Sequence, residues 1–221
     1  MPRIGVPADV AAIRAALVLA LNSICENGRK VGDAKFGVYA FYDYDGEPIY
    51  VGQTSEKLRV RIRRHLTNHR TDAVAMNVLD PFEVYEIEMW PLWNLQDLPF
   101  KEAAQILNAA EFTAFQQLLT RSTYKVVLNE KDMLQSSPIE LPPSVKLCII
   151  PDEIRESRKH PDVRIARRAA TISSLAKVIS ERDVSPGLRR TLLRQAQRLE
   201  RLASTRFADF AGDPIETEHE E

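Results

Sequence analysis

The fold of this chain is best predicted from residues 36–54, which read FGVYAFYDYDGEPIYVGQT. Two runs rich in β-branched and aromatic residues, 36–42 and 49–53, lie on either side of Asp45-Gly46. An Asp-Gly pair between two such runs is a strong signal for a tight β-hairpin. The stretch therefore predicts two antiparallel strands.

The sequence that follows predicts further elements of an α/β unit. Apolar residues recur every four positions across 58–66, which is the spacing of an amphipathic helix. Apolar and acidic residues alternate within 82–91, as they do in a half-exposed strand. A second long helix is expected at 100–120, and a short β-like run follows at 124–128. We therefore expect a compact α/β core over residues 33–131.

The remaining sequence is interpreted as helical extensions joined to this core. Two amphipathic helices are expected at 160–182 and 186–205, packed by their apolar stripes either on the core or on a second subunit. Their arginines would line a groove or stay solvated; these are Arg167, Arg168, Arg189, Arg190, Arg194, Arg198 and Arg201. The expected division is an N-terminal helical arm (1–32), the core (33–131), a Pro-containing linker (132–150) and a helical C-terminal extension with an acidic tail (151–221).

Composition excludes several classes of protein. With 44% hydrophobic and 28% charged residues in 221, the chain is neither disordered nor collagen-like. Its two cysteines form no CxxC motif, which argues against a disulfide framework and a structural zinc site and indicates a cytoplasmic protein. No apolar stretch approaches the roughly 18 residues that a membrane helix requires.

Charge is segregated along the chain although the net charge is only −1. Residues 55–70 carry six basic side chains and one acidic side chain, and residues 151–208 carry 14 basic and seven acidic side chains. A neutral chain with two basic segments can still bind a polyanion at short range. Charge therefore favours contact with DNA or RNA over the alternative that these are solvated helix faces.

A two-part motif lies on the predicted hairpin. Gly37-Val38-Tyr39 is followed, eleven residues after the tyrosine, by Tyr50-Val51-Gly52. Further landmarks follow in order: Gln53-Thr54, Leu58-x-x-Arg61, His65 on the same helix and Glu111 on the later helix. Over residues 33–131 this pattern resembles the GIY-YIG nuclease superfamily, with valine in place of isoleucine in both halves. It is most similar to the restriction-endonuclease branch, which includes enzymes that cut CCGCGG.

The resemblance implies a fold, an activity and a set of site residues. The fold would be a small, three-stranded, mostly antiparallel sheet flanked by helices, and the activity would be hydrolysis of DNA phosphodiester bonds with Mg²⁺ or another divalent cation such as Mn²⁺. The catalytic residues would be Tyr39, Tyr50, Arg61, His65, Glu111 and, after the second long helix, Asn129. The resemblance thus makes Glu111 the expected metal ligand.

The chemistry of these side chains agrees with a catalytic function for the tyrosines, Arg61 and His65 and with metal binding by Glu111. A free phenol has a pKa near 10, so Tyr39 can act as a base only if a cation such as Arg61 lowers that value. Arg61 and His65 are four residues apart and share one face of their helix. Glu111 lies within the apolar stripe of its own helix, where an ionised carboxylate requires a cation. A divalent metal ion is the natural partner for it.

These considerations lead to one preferred function and two alternatives. We expect a Mg²⁺-dependent type II restriction-like endonuclease that cuts a palindromic site as a homodimer, with a cognate DNA methyltransferase as a genetic partner. The alternatives are a structure-specific or repair-type nicking nuclease and a catalytically inactive DNA-binding protein on the same fold. The residues expected to contact DNA are Gln53, Thr54, Lys57, Arg59, Arg63, Arg64 and Arg70.

Overall fold

The computed structural model describes residues 8–66, 80–123, 127, 134–184 and 186–211. Its strands are β1 (Gly37–Tyr42), β2 (Pro48–Thr54), β3 (Glu86–Pro91) and β4 (Val145–Cys148). Its α-helices are α1 (Ala8–Leu21), α2 (Leu58–Leu66), α3 (Phe100–Arg121), α4 (Asp152–Lys159), α5 (Pro161–Glu181) and α6 (Pro186–Phe210). Within these described ranges, no helix is long and apolar enough to cross a membrane.

The predicted hairpin is present as β1 and β2. The two strands pair antiparallel from Gly37 opposite Thr54 to Tyr42 opposite Pro48, so that Tyr39 faces Gly52. Gly46 takes the left-handed conformation (φ +73°) that the turn requires. The Asp43 carboxylate closes the turn by accepting hydrogen bonds from the backbone N–H groups of Asp45 and Glu47. Local turn chemistry therefore sets the register that aligns the two halves of the motif.

Among the described residues, the sheet has four strands rather than the three that we expected. The order is β2-β1-β3-β4 with all neighbours antiparallel, and β2 and β4 are the edge strands. β4 lies inside the segment interpreted as a linker, where Ile87 of β3 is opposite Leu147. Its four residues follow a proline-containing stretch, and their pairing depends on a strand more than 50 positions away. Of the β-like run 124–128, only Val127 is described, and it is outside any strand.

Each face of the sheet is covered by different helices. On one face, Tyr39, Phe41 and Met89 join a buried cluster with Leu58 and Ile62 of α2. On the other face, buried side chains of β1, β2 and β3 pack on α3; they include Val38, Ala40, Val51, Trp90, Leu107 and Leu118. The sheet therefore separates α2 from α3, and side chains of both helices, Arg61 and Asn108, line one cavity at the end of the edge strand β2.

The C-terminal helices pack on the core, which is one of the two arrangements that we expected. Leu175 of α5 and Leu188 of α6 belong to the same buried cluster as Tyr39. The expectation that Arg168 and Arg198 line a groove or stay solvated is wrong, because they are only 3% and 2% exposed. Both donate to the Asp43 carboxylate of the hairpin turn.

A second ion pair at the same turn completes this attachment. Arg164 of α5 forms a bidentate pair with Asp45, at 2.9 and 2.6 Å, and Arg168 also donates to the buried Glu83. Guanidinium groups enter a protein interior only when carboxylates neutralise them. These three arginines therefore hold the C-terminal helices against the turn end of the hairpin. Gly37 and Thr54 lie at its opposite end.

Candidate active site

Tyr39 and Gly52 bring the two halves of the motif into contact. Tyr39 is fully buried on β1, and Gly52 lies directly opposite it on β2. A Cβ at position 52 would lie 2.6 Å from the Tyr39 hydroxyl oxygen and 2.8 Å from its Cζ. Only glycine lets the tyrosine ring pass over the edge strand. The motif therefore positions a phenol at the edge of the sheet.

Helix α2 adds a guanidinium and an imidazole beside the two tyrosines. The ring centroid of His65 lies 5.7 Å from that of Tyr39 and 5.1 Å from that of Tyr50, and the two tyrosine rings are 6.1 Å apart. Arg61, one turn earlier, is close enough to interact with both phenols. Burial lowers the pKa of Arg61, but the contacts of Arg61 with the two tyrosines outweigh burial, so that the pKa lies above its usual value. Arg61 therefore carries a permanent positive charge at this point.

Burial controls the ionisation of Tyr39. It raises the pKa of the Tyr39 phenol above its usual value, and the opposing effects of Arg61 and Tyr50 do not cancel it. We expected Arg61 to activate this phenol. Its influence has the expected direction, but burial outweighs it. In the protein alone, Tyr39 is therefore protonated at neutral pH.

Glu111 approaches the same place from α3. The side-chain amide of Gln53 and its backbone N–H, on the edge strand, both donate to the Glu111 carboxylate. Burial nevertheless raises the pKa of Glu111 to about 7, with Arg61 and Gln53 opposing the rise. A carboxylate with this pKa is about half protonated at neutral pH until a cation joins it.

A cavity of about 380 Å³ lies between the end of β2 and the first half of α3. Its walls include Gln53, Glu56, Arg61, Phe100 and Asn108. Within the described part of the chain, the Nε of Arg61 and the Oε1 of Gln53 are buried and have no hydrogen-bond partner. Two residues of the cavity wall therefore each have one unsatisfied polar atom, a donor on Arg61 and an acceptor on Gln53.

The side chains at this place fit a divalent-cation site that is completed by water and substrate, rather than one formed by protein ligands alone. Among the described residues, no three His, Cys, Asp or Glu side chains cluster as metal ligands. Mg²⁺ is usually held by one or two carboxylates together with waters and substrate phosphates. Glu111 would supply one carboxylate to such a site.

Several residues predicted to contact DNA already pair within the protein. Arg59 and Lys57 lie 2.9 and 3.9 Å from Asp33, and Arg64 lies 2.8 Å from Glu56. The Thr54 hydroxyl is buried and bonds with the backbone of Glu56. Arg63 is exposed on α2. Arg70 and Asn129 lie outside the described residues.

Sequence reasoning missed two residues of the cavity. Asn108 accepts a hydrogen bond of 2.7 Å from the Gln53 side chain, and Phe100 is 66% exposed in the cavity wall. Asn108 precedes Glu111 by three positions, so the two share one face of α3. That spacing is a signal from which Asn108 was predictable. An isolated phenylalanine at a helix start carries no such signal.

Comparison with protein families connects this geometry to a known catalytic unit. Residues 35–98 match the GIY-YIG catalytic domain. The GIY-YIG match spans β1, β2, α2 and β3 and includes Tyr39, Tyr50, Arg61 and His65, but it ends before Glu111 and covers less than half of the chain. It supports a nuclease function with DNA as substrate, and the mixed α/β architecture agrees with a GIY-YIG fold. No curated protein and no solved structure gives a significant match to the chain.

Proposed function

We propose that this protein is a Mg²⁺-dependent endonuclease of the restriction type, which cuts both strands of DNA at a specific palindromic site in the cytoplasm. One observation carries the proposal. Tyr39, Arg61, His65 and Glu111 surround one end of the edge strand β2, next to a cavity with an unpartnered guanidinium nitrogen. Phosphodiester hydrolysis requires a cation for the phosphate, a positioned water and a proton acceptor.

Arg61 is the group that binds the scissile phosphate. Its guanidinium is always charged, and its forked shape suits two oxygens of one phosphate. The Nε, buried without a hydrogen-bond partner among the described residues, offers one of the donors for that contact. A donor aimed at the charge that develops in the transition state contributes roughly a hundred- to thousandfold to the rate.

Tyr39 and His65 deprotonate the attacking water. The water oxygen attacks phosphorus while the bond from phosphorus to the 3′-oxygen breaks. The water proton passes to the Tyr39 oxygen as Tyr39 releases its own proton to His65. The raised pKa of Tyr39 makes an isolated phenolate unfavourable, so this exchange suits the site better than a pre-formed phenolate. Tyr50, packed against the His65 ring, holds the imidazole in place.

Glu111 holds the divalent cation. A bound Mg²⁺ would neutralise charge on the phosphate and on the departing 3′-oxygen. Glu111 must be ionised to bind it, and the two Gln53 hydrogen bonds favour that ionised form. Asn129 stays a candidate catalytic residue.

The restriction-type assignment includes a homodimer and a cognate DNA methyltransferase as genetic partner. A palindromic site has two-fold symmetry and is read most simply by a two-fold protein. The competing function is a structure-specific or repair-type nicking nuclease with the same chemistry. The catalytically inactive alternative ranks last, because side chains suited to each chemical role meet at one site.

Digestion of plasmid and phage DNA of known sequence tests the proposal. Purified protein with Mg²⁺ or Mn²⁺ should give discrete bands whose sequenced ends share one palindrome, and EDTA should abolish cutting. Single-strand nicks or a smear would favour the nicking nuclease. DNA binding without cleavage would favour the inactive alternative. Light scattering with and without DNA checks the dimer, and a mass of one chain under all conditions contradicts it.

A further inference from the structure

The two ends of the Gln53 side-chain amide have different surroundings. Its nitrogen donates to Oδ1 of Asn108 at 2.7 Å and also to the Glu111 carboxylate. Both neighbours are acceptors on α3, so the NH₂ end must face that helix. The Oε1 end is therefore turned away from α3. It is buried and meets no hydrogen-bond donor within the described ranges.

An unsatisfied buried carbonyl oxygen is costly and marks the position of a missing donor. Arg61 lines the same cavity as Gln53, and its Nε is likewise buried without a hydrogen-bond partner among the described residues. A phosphate oxygen satisfies the arginine but has no proton to give to Oε1. A water molecule supplies that proton. The cavity therefore has complementary groups for both reactants of a hydrolysis.

We propose that Oε1 of Gln53 accepts a hydrogen bond from the attacking water, and that Asn108 is the positioning residue that fixes the Gln53 amide in this orientation. The inference rests on the endonuclease function proposed above and adds a residue to that site. Gln53 is a catalytic residue on this assignment because it touches a reacting molecule. Asn108 acts only through Gln53.

Isosteric variants separate these two roles. Gln53→Met keeps the length of the side chain and removes both polar ends, whereas Asn108→Leu removes only the acceptor that orients the amide. Gln105→Met and Asn94→Leu, at exposed positions, are matched controls. Single-turnover cleavage rates in Mg²⁺, DNA dissociation constants in Ca²⁺ and melting temperatures are measured for each variant.

At saturating Mg²⁺, which offsets the lost hydrogen bond from Gln53 to Glu111, Gln53→Met should lower the single-turnover rate by at least about tenfold because the water loses an acceptor, while DNA affinity stays within about threefold. Asn108→Leu should lower the rate by a smaller factor, because the Glu111 carboxylate still attracts the amide nitrogen. In the double variant, Asn108→Leu should cause no further loss, since there is no amide left to orient. If Gln53→Met does not fold, Asn108→Leu tests the inference alone. A lower cleavage rate with unchanged DNA affinity would support it, and an unchanged rate would contradict it.

Three results would overturn the inference while leaving the endonuclease function intact. They are cleavage by Gln53→Met near the wild-type rate, an equal loss of DNA affinity and rate, and additive losses in the double variant. The second result would make Gln53 a DNA-binding contact instead. A wild-type protein that cuts no DNA in Mg²⁺ or Mn²⁺ would reject the proposed function and this inference together.

Discussion

Arg61 and Glu111 reach the same site from opposite faces of the sheet. Arg61 lies on α2, which packs on the Tyr39 face, and Glu111 lies on α3, which packs on the Val38 face. Their charges interact around the edge strand β2, where Gln53 donates to the Glu111 carboxylate. The edge strand β2 is therefore part of the candidate site, and the backbone N–H of Gln53 helps to hold the Glu111 carboxylate.

The raised pKa of Glu111 predicts a linkage between pH, stability and Mg²⁺. The pKa is about 7 in the folded protein against 4.5 for an ordinary glutamate. The folded state therefore binds the extra proton, and stability falls as pH rises from about 4.5 to 7. Glu111→Gln removes this penalty and should stabilise the protein at pH 8, by about 3 kcal/mol at most, with little effect near pH 4.

Thermal melts at pH 6 and pH 8 with and without Mg²⁺ check this linkage. Mg²⁺ should raise the melting temperature of the wild type more at pH 8 than at pH 6, and should not raise that of Glu111→Gln. Glu102→Gln, at an exposed position on the same helix, serves as the control. A loss of stability at pH 8 in Glu111→Gln would contradict the assigned pKa.

Gly52→Ala should disable the site through the Tyr39 ring. The new methyl group would lie 2.6 Å from the Tyr39 hydroxyl, so the ring must move. We expect a loss of about 1–3 kcal/mol in stability and a loss of cleavage of at least tenfold. Gly37→Ala is the matched variant, because the atoms nearest to its Cβ would belong to the Leu58 side chain, at 2.9–3.0 Å, and not to a tyrosine. It should lose stability but keep more activity per folded molecule.

Arg61→Ala should separate catalysis from DNA binding. Loss of the guanidinium that we propose binds the scissile phosphate should reduce the cleavage rate by about a hundred- to thousandfold, with a much smaller change in DNA affinity. Arg63→Ala, at an exposed position on α2, should change affinity mainly at low salt and leave the rate near that of the wild type. Cleavage by Arg61→Ala within tenfold of the wild-type rate would reject the site assignment.

Arg198→Met should destabilise the fold without altering the chemistry. Arg198 joins α6 to Asp43 of the hairpin turn, and removal of one partner leaves uncompensated charge in a buried cluster. We expect a loss of about 3–5 kcal/mol, measured by urea unfolding. Arg201→Met, at an exposed position on the same helix, should change stability by less than about 0.5 kcal/mol. Equal effects of the two variants would show that the buried cluster adds nothing specific.

The hairpin, α2 and α3 follow from local sequence patterns, and these patterns also predict five side chains near the end of β2, but not Asn108 or Phe100. Asp-Gly at the turn, the four-residue spacing in α2 and the apolar stripe around Glu111 are patterns of neighbouring residues, and neighbouring residues control local backbone geometry. The motif spacing predicts Tyr39, Tyr50, Arg61 and His65, and the apolar stripe of α3 predicts Glu111, because these patterns lie within elements that form locally; their catalytic roles stay predictions.

Three features depend on tertiary contacts and could not be predicted from local sequence. They are the fourth strand, the burial of the C-terminal arginines and the raised pKa values at the candidate site. β4 requires β3 as a partner, and Arg198 requires a carboxylate 155 residues earlier in the chain. The raised pKa values of Tyr39 and Glu111 result from burial by several elements together. Pairing partners and desolvation depend on which distant segments meet in space, and no local pattern encodes that.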